Sequence, residues 1–265
     1  MENQEKTQAR EIKDSCVLIT GGTSGVGLAA AMQFVEAGAK GIAINGRNTE
    51  RGEKARQSIL DKYPDAKVFF VAGDCNIAAQ ATRVCEQARE KMGSVDVLVN
   101  STVSPYGPKL LKDIAVDEME NIIVQQMMAQ LLTSRIVYPW MSENGGGVIT
   151  NIASDAGKVT TPGETVLGAA MAGIIMFSRT MAMEAKRNGV RVNVLTPSII
   201  EGTLTNLSVM DDPFGSKLFG KAIKMASLGV CVPDDLANMI LFLASPQASR
   251  LTGQAISING GISAA

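Results

Sequence analysis

A strand that runs straight into a glycine loop constrains this chain more than any other feature. Cys16–Thr20 (CVLIT) is apolar or β-branched almost throughout, as expected of a strand covered on both faces. Gly21-Gly-Thr-Ser-Gly-Val-Gly27 follows without a spacer, and a helical pattern begins at once over 28–37. Glycines at 21, 25 and 27 let backbone approach a pyrophosphate, and the N–H groups opening the next helix point at the anion. Gly21, Ser24, Gly25, Val26 and Gly27 are therefore candidate nucleotide-binding residues.

The alternation continues to the end of the chain. Further strands are predicted over 41–45, 67–71, 96–100, Gly147–Ile152, 190–195 and Ala255–Ile258. Helices are predicted over Thr49–Lys62, Ala78–Met92, 117–141 and 165–187, and one opens at Pro233, with Asp234 and Asp235 in its first turn. The stretch 197–229 carries no such pattern and reads as irregular. Strands alternating with helices imply a parallel sheet covered on both faces: a single doubly wound, Rossmann-type domain of three α/β/α layers. That domain spans 15–265 behind a polar, loosely ordered tail, 1–14.

Composition narrows the function. A net charge of -1 gives no support for nucleic acid as the main partner. No apolar run reaches the roughly 18 residues of a membrane span, and the first residues lack the apolar core of a secretory signal. The four cysteines, Cys16, Cys75, Cys85 and Cys231, form no CxxC pair, so no metal site is expected and a reducing cytoplasm is the expected location. The chain has no histidine, which excludes His-based triads, His general bases and His metal ligands.

With these motifs the chain resembles the short-chain dehydrogenase/reductase family over nearly its whole length. The glycine loop has TGxxxGxG spacing; Asp74 follows strand three, where the family often has an Asp near the adenine; DVLVN, ending in Asn100, closes strand four. GGGVITNIAS leads into Ser154, RVNVLTP follows the second long helix, and LTGQAISINGG lies near the C-terminus. The resemblance implies that Asp74 and Asn100 join the cofactor residues. At the end of strand two, where an acidic residue would hold the ribose hydroxyls of NAD, the chain reads Asn45-Gly46-Arg47. Arg47 either faces a 2′-phosphate or is a solvated surface charge.

The pattern breaks at the reaction centre. In the family a Ser precedes a YxxxK helix motif; Ser154 fits that serine, but the Tyr and Lys positions hold Leu167 and Met171. Their mutual spacing is kept, so the residues are replaced and the register is not shifted. A Tyr beside Lys⁺ has its pKa drawn down from about 10 and can exchange a proton with the substrate; Leu offers no proton and Met no charge. The family's helix asparagine becomes Gln126, NNAG becomes Asn100-Ser-Thr-Val103, and PG becomes Pro197-Ser198. No functional catalytic residue is expected at Ser154, Leu167, Met171 or Gln126. Tyr106, just beyond strand four, is either a substitute proton donor, with Lys109 or Lys158 nearby, or a loop tyrosine packed on its neighbours.

The long helices 117–141 and 165–187 correspond to those that form the family's main dimer interface. They carry Met119, Met127, Met128, Met171, Met176, Met181 and Met183, which suit either an adaptable contact surface or the core. The resemblance then implies a non-catalytic subunit of a hetero-oligomer, most simply a heterotetramer, in which a related subunit with intact Tyr and Lys binds NAD. A 3-hydroxyacyl-CoA is the implied substrate class. The alternatives are a stand-alone NAD(P)-binding sensor and a reductase with displaced catalytic groups.

Overall fold

The computed structural model describes residues 10–265. Seven strands form one parallel sheet: β1 (Cys16–Thr20), β2 (Gly41–Gly46), β3 (Val68–Ala72), β4 (Val97–Asn100), β5 (Gly147–Ile152), β6 (Val190–Pro197) and β7 (Ala255–Ile258). Their order is β3-β2-β1-β4-β5-β6-β7, so the chain reverses its direction of winding between β1 and β4. Ligands of open α/β sheets bind at such a switch point, beyond the carboxyl ends of the strands.

Helices cover both faces. α1 (Gly25–Glu36), α2 (Thr49–Lys62) and α8 (Pro233–Ala244) bury Phe34, Ile59 and Ile240 on one side, against Val17, Ile19 and Val99. α3 (Ala78–Met92), α4 (Met119–Glu143) and α5 (Thr165–Ala185) bury Val84, Val137 and Ala182 on the other, against Leu18, Leu98 and Ile149. The three-layer, doubly wound architecture is the one the strand–helix alternation predicts.

Several boundaries differ from the sequence reading. α1 begins at Gly25 and not at residue 28, because the glycine loop itself supplies the first turn. A 3₁₀ turn, Val116–Glu118, precedes α4, and another, Lys186–Asn188, extends α5 to Gly189 at φ 72. The stretch expected to be irregular holds two helices, α6 (Leu204–Asp211) and α7 (Pro213–Met225). Thr203 Oγ1 accepts from Asn206 N–H at 3.2 Å, and Asp212 Oδ2 accepts from Gly215 N–H at 2.6 Å with Pro213 opening α7. Both are ordinary start signals; α6 is only eight residues long and α7 is interrupted by Gly215 and Gly220, so neither shows enough periodicity to reveal the rest.

The polar tail is corrected in part. Residues 1–9 lie outside the described residues, but 10–14 are docked. Ile12 is buried in a 3₁₀ turn, Ile12–Asp14, against the core. Arg10 pairs with the buried Asp96, and its second nitrogen donates to the Asn144 carbonyl at 2.7 Å. A buried carboxylate requires a counter-charge, and Arg10 provides it.

By length and composition alone, α5 with its trailing turn, Thr165–Asn188, could cross a membrane, with mean hydropathy 1.5 in its most apolar window. Its apolarity has a simpler cause: Ala170, Ile174, Ile175, Met181 and Ala185 pack into the core while Arg179 and Glu184 stay exposed. The methionines of the two long helices divide the same way. Met171 and Met181 are buried, and Met127 packs beside Met171. Met176 and Met183, each 60% exposed, remain on the outer face of α5.

Candidate functional site

Strand β1 ends in the glycine loop, and the loop leaves no room for side chains. A Cβ on Gly21, at φ +67, would lie 2.2 Å from the Ser101 carbonyl oxygen at the end of β4. A Cβ on Gly27 would lie 2.4 Å from the Gly21 carbonyl oxygen. Ser24 stands at the N-cap of α1, yet its hydroxyl accepts no capping bond, and among the described residues no side chain bonds the first-turn N–H groups. Such an arrangement suits a pyrophosphate.

A cavity of about 270 Å³ extends from this loop along the carboxyl edge of the sheet. Of the sequence-derived candidates, Gly21, Ser24, Gly25, Val26, Arg47, Asp74, Gln126, Ser154, Leu167 and Met171 line it. Gly27 and Asn100 do not. Gly27 works one layer down, where it lets α1 pack on the loop. Asn100 is wholly buried behind the cavity: its Oδ1 accepts from Thr20 Oγ1 at 2.9 Å and Thr133 Oγ1 at 2.8 Å, while its Nδ2 donates to Asn151 Oδ1 at 2.8 Å. It ties β1, β4, β5 and α4 together.

At the outer end of the cavity, Gly46 cannot be replaced by an acidic residue without a shift, since its Cβ would meet Thr23 Cγ2 at 2.7 Å. Arg47 is half-exposed and lies 3.9 Å from Asp74 Oδ2 and 3.5 Å from Gln125 Oε1. Both side chains line the cavity.

The inner end is apolar. Met171 is 7% exposed and packs among Ala153, Ile174, Ile175 and Val194, with Leu167 and Met127 against it. Ser154 is half-buried and its Oγ accepts from Ala156 N–H at 3.2 Å, capping the turn Asp155–Gly157. Val103, 61% exposed, stands at the rim. Gln126 is buried and its Nε2 reaches only the Tyr106 carbonyl, at 3.4 Å.

The substitute proton path through Tyr106 lacks its lysine. The Tyr106 hydroxyl accepts from Asn121 Nδ2 at 2.6 Å on the exposed side. Lys109 pairs with Glu118 at 3.6 Å. Lys158 points to the C-terminal segment, donating to Ser257 Oγ at 2.5 Å and the Ala265 carbonyl at 2.7 Å. Asp155, beside Ser154, is turned to the C-terminal segment by one oxygen: its Oδ2 accepts from Asn259 Nδ2 at 2.5 Å and Ser263 Oγ at 2.8 Å, while its Oδ1 lies 3.9 Å from Lys158 Nζ.

Sequence reasoning missed three lining residues. Glu164 lies one turn before Leu167; burial pushes its carboxyl pKa up, Asp155 adds to the shift, and a bond from Thr161 opposes it. Its place at i−3 from Leu167 was a readable signal. Gln130, one turn beyond Gln126, is buried, and its Oε1 has no partner among the described residues. Cys75 has its thiol pKa pushed up to about 12 by burial and donates a hydrogen bond to Asn45 Oδ1 at 3.2 Å, so it is no nucleophile.

A dinucleotide therefore fits this chain unevenly. The glycine cradle suits its pyrophosphate, while Met171 leaves the nicotinamide ribose without a cationic anchor. Among the described residues no cluster of three or more His, Cys, Asp or Glu could hold a metal.

Comparison with known proteins agrees with this geometry. A family profile described as short chain dehydrogenase matches residues 15–212. A 3-oxoacyl-(acyl-carrier-protein) reductase FabG of Chlamydia pneumoniae is 31% identical over 246 residues, covering 93% of this chain and 96% of the relative. A 7α-hydroxysteroid dehydrogenase structure, complexed with NADH and 7-oxo glycochenodeoxycholic acid, superposes with a TM-score of 0.85 at 27% identity, covering 98% of both chains. An NADPH-bound short chain oxidoreductase of Pseudomonas aeruginosa PAO1, described as containing an atypical catalytic center, gives a TM-score of 0.85 at 25% identity, covering 96% of this chain and 98% of the other.

Proposed function

Because the chain belongs to the short-chain dehydrogenase family, we propose that it is the catalytically silent subunit of a hetero-oligomeric NAD-dependent dehydrogenase. One observation carries this reading: the Tyr and Lys positions are filled by Leu167 and Met171, and Met171 is packed among Ala153, Ile174, Ile175 and Val194. General acid–base catalysis contributes about 10²–10⁴-fold, and neither Leu167 nor Met171 can supply it. NAD, when bound by the intact partner, accepts the hydride. This chain's residues hold structure: Leu167 and Met171 seal the floor, and Ser154 caps a turn.

The partner is a related subunit that retains Tyr and Lys, joined most simply as a heterotetramer in the cytoplasm. A groove of about 900 Å³ between α4 and α5, lined by Arg135, Tyr138, Met176 and Phe177, supports docking there, and the exposed Met176 and Met183 offer adaptable apolar contact. Binding at this face stabilises both chains by mass action. The substrate class is a 3-hydroxyacyl-CoA oxidised to a 3-oxoacyl-CoA. The similarity to 3-oxoacyl-(acyl-carrier-protein) reductases supports thioester-linked 3-oxoacyl chemistry. Within it, the narrowest reading is 2-(α-hydroxybenzyl)succinyl-CoA, the substrate of the toluene-degradation dehydrogenase whose non-catalytic subunit this chain resembles.

The test is reconstitution. The isolated chain is expected to give no NAD reduction with a 3-hydroxyacyl-CoA, and co-expression with its Tyr/Lys-bearing relative to give turnover that needs the relative's Tyr alone. Turnover by the isolated chain, abolished by Tyr106→Phe, would overturn the proposal. A second reading, an NAD(P)-binding protein without hydride chemistry, is favoured by the uncapped first turn of α1 and by Arg47 at the cavity's outer end. It predicts tight dinucleotide binding without any companion.

A further inference from the structure

A second cavity lies at the opposite edge of the sheet, where β1, β4, β5 and β6 begin. Its volume is about 360 Å³, a size suited to a small molecule and larger than a bare ion needs. Four cationic side chains line it, Arg10, Lys186, Arg191 and Arg250, against one acid, Asp96. That acid is already spent. It pairs with Arg10 and also accepts from Cys16 N–H at 2.9 Å and Ser94 Oγ at 2.7 Å. Among the described residues, Lys186, Arg191 and Arg250 form no ion pair.

Arg191 is the unusual member. It is only 8% exposed, the second residue of β6, and its guanidinium donates to the Ala248 carbonyl at 2.9 Å and the Ser245 carbonyl at 3.3 Å. These carbonyls follow the end of α8 and bring partial charge only. Burial draws the guanidinium pKa down to about 10, the mark of a cation that has lost water without gaining a full counter-charge. Buried charges are ordinarily paired. The exposed Lys186 and Arg250 add two further positive charges to the same wall, and Ser249 also lines it, with no side-chain hydrogen bond of its own among the described residues.

We propose that this cavity binds a small multivalent oxyanion, such as a phosphorylated metabolite, which Lys186, Arg191 and Arg250 neutralise together and Ser249 hydrogen-bonds. The site lies across the sheet from the glycine-loop cleft, so its occupant and a dinucleotide do not compete. Arg191 supplies the fixed charge, because its carbonyl bonds hold it in place. The two exposed cations close over the ligand.

Titration calorimetry of the full chain with inorganic pyrophosphate, at physiological ionic strength, tests this. The glycine loop also suits a pyrophosphate, so two double variants separate the sites, each removing two exposed charges. Lys186→Gln/Arg250→Gln is expected to weaken binding roughly tenfold, the sum of two exposed charge contacts. Arg47→Gln/Arg51→Gln is expected to leave this binding event within about twofold of the parent. Equal weakening by both pairs, weakening by the cleft pair alone, or no binding to the parent protein would overturn the proposal. All four positions are exposed or half-exposed, so the variants fold, and circular dichroism confirms it.

Discussion

At one end of the cleft, Gly21 sits where a Cβ would lie 2.2 Å from a carbonyl oxygen of the neighbouring strand; at the other, Leu167 and Met171 close the floor with side chains that exchange no proton. The two ends belong to one cavity and answer to different demands. The glycine loop turns β1 into α1 and lets α1 pack, so the fold needs it whether or not a nucleotide binds. A tyrosine and a lysine would serve chemistry, whereas Leu167 and Met171 pack with Ala153, Ile174, Ile175 and Val194. The glycine loop thus reports on architecture, and the side chains at the inner end report on activity.

The largest effect that could break this contrast is at the loop. Gly21→Ala places a Cβ against the Ser101 carbonyl at a positive φ, and should destabilise the fold by about 4 kcal/mol through strain and overpacking, read as a lower denaturant midpoint. A change under about 1 kcal/mol would mean the loop is mobile and kept for binding. Next in size, Met171→Lys introduces an ammonium into the apolar cluster and should cost about 3 kcal/mol, with no gain in turnover when combined with Leu167→Tyr. Activity from the double variant would show a dormant site and not a core. Smaller still, any dinucleotide affinity of the isolated chain should reside at the loop end. ADP-ribose should then bind within about threefold of NADH, a difference below 1 kcal/mol. NADH binding far more tightly would reveal a ribose anchor that replaces the lysine.

The smallest effect concerns Glu164. Its carboxyl pKa is raised in the folded chain, so the folded state holds the proton longer than the unfolded state as pH rises. Stability is therefore lost as pH climbs from the usual carboxylate range through the raised value. Glu164→Gln should be more stable than the parent at pH 7, with the gap closing toward pH 4. A gap that widens on acidification would reverse the assignment.

The sequence was most legible where backbone demands are local. The strand CVLIT followed by glycines fixes β1, the loop and α1 to within a few residues, and Leu167 and Met171 fall in the cavity where the motif spacing puts them. It was least legible where tertiary contact decides. α6 and α7 carry clear caps but too few turns to stand out. Asn100 has the look of a ligand residue, yet its hydrogen bonds to Thr20, Thr133 and Asn151 behind the cavity are invisible until β1, β4 and β5 are side by side. Glu164 was readable from its place one turn before Leu167, whereas no local pattern announces Gln130 or the cations of the far cavity. Ile12, an apolar residue in a polar run, was the one local sign that the tail docks.

Native mass spectrometry of the protein isolated from its own cells tests the central claim most directly. The account predicts a mixed oligomer containing this 27.9 kDa chain and a related subunit that carries the YxxxK motif, with dehydrogenase activity following that complex through purification. A homo-oligomer of this chain alone, with no such companion, would contradict it.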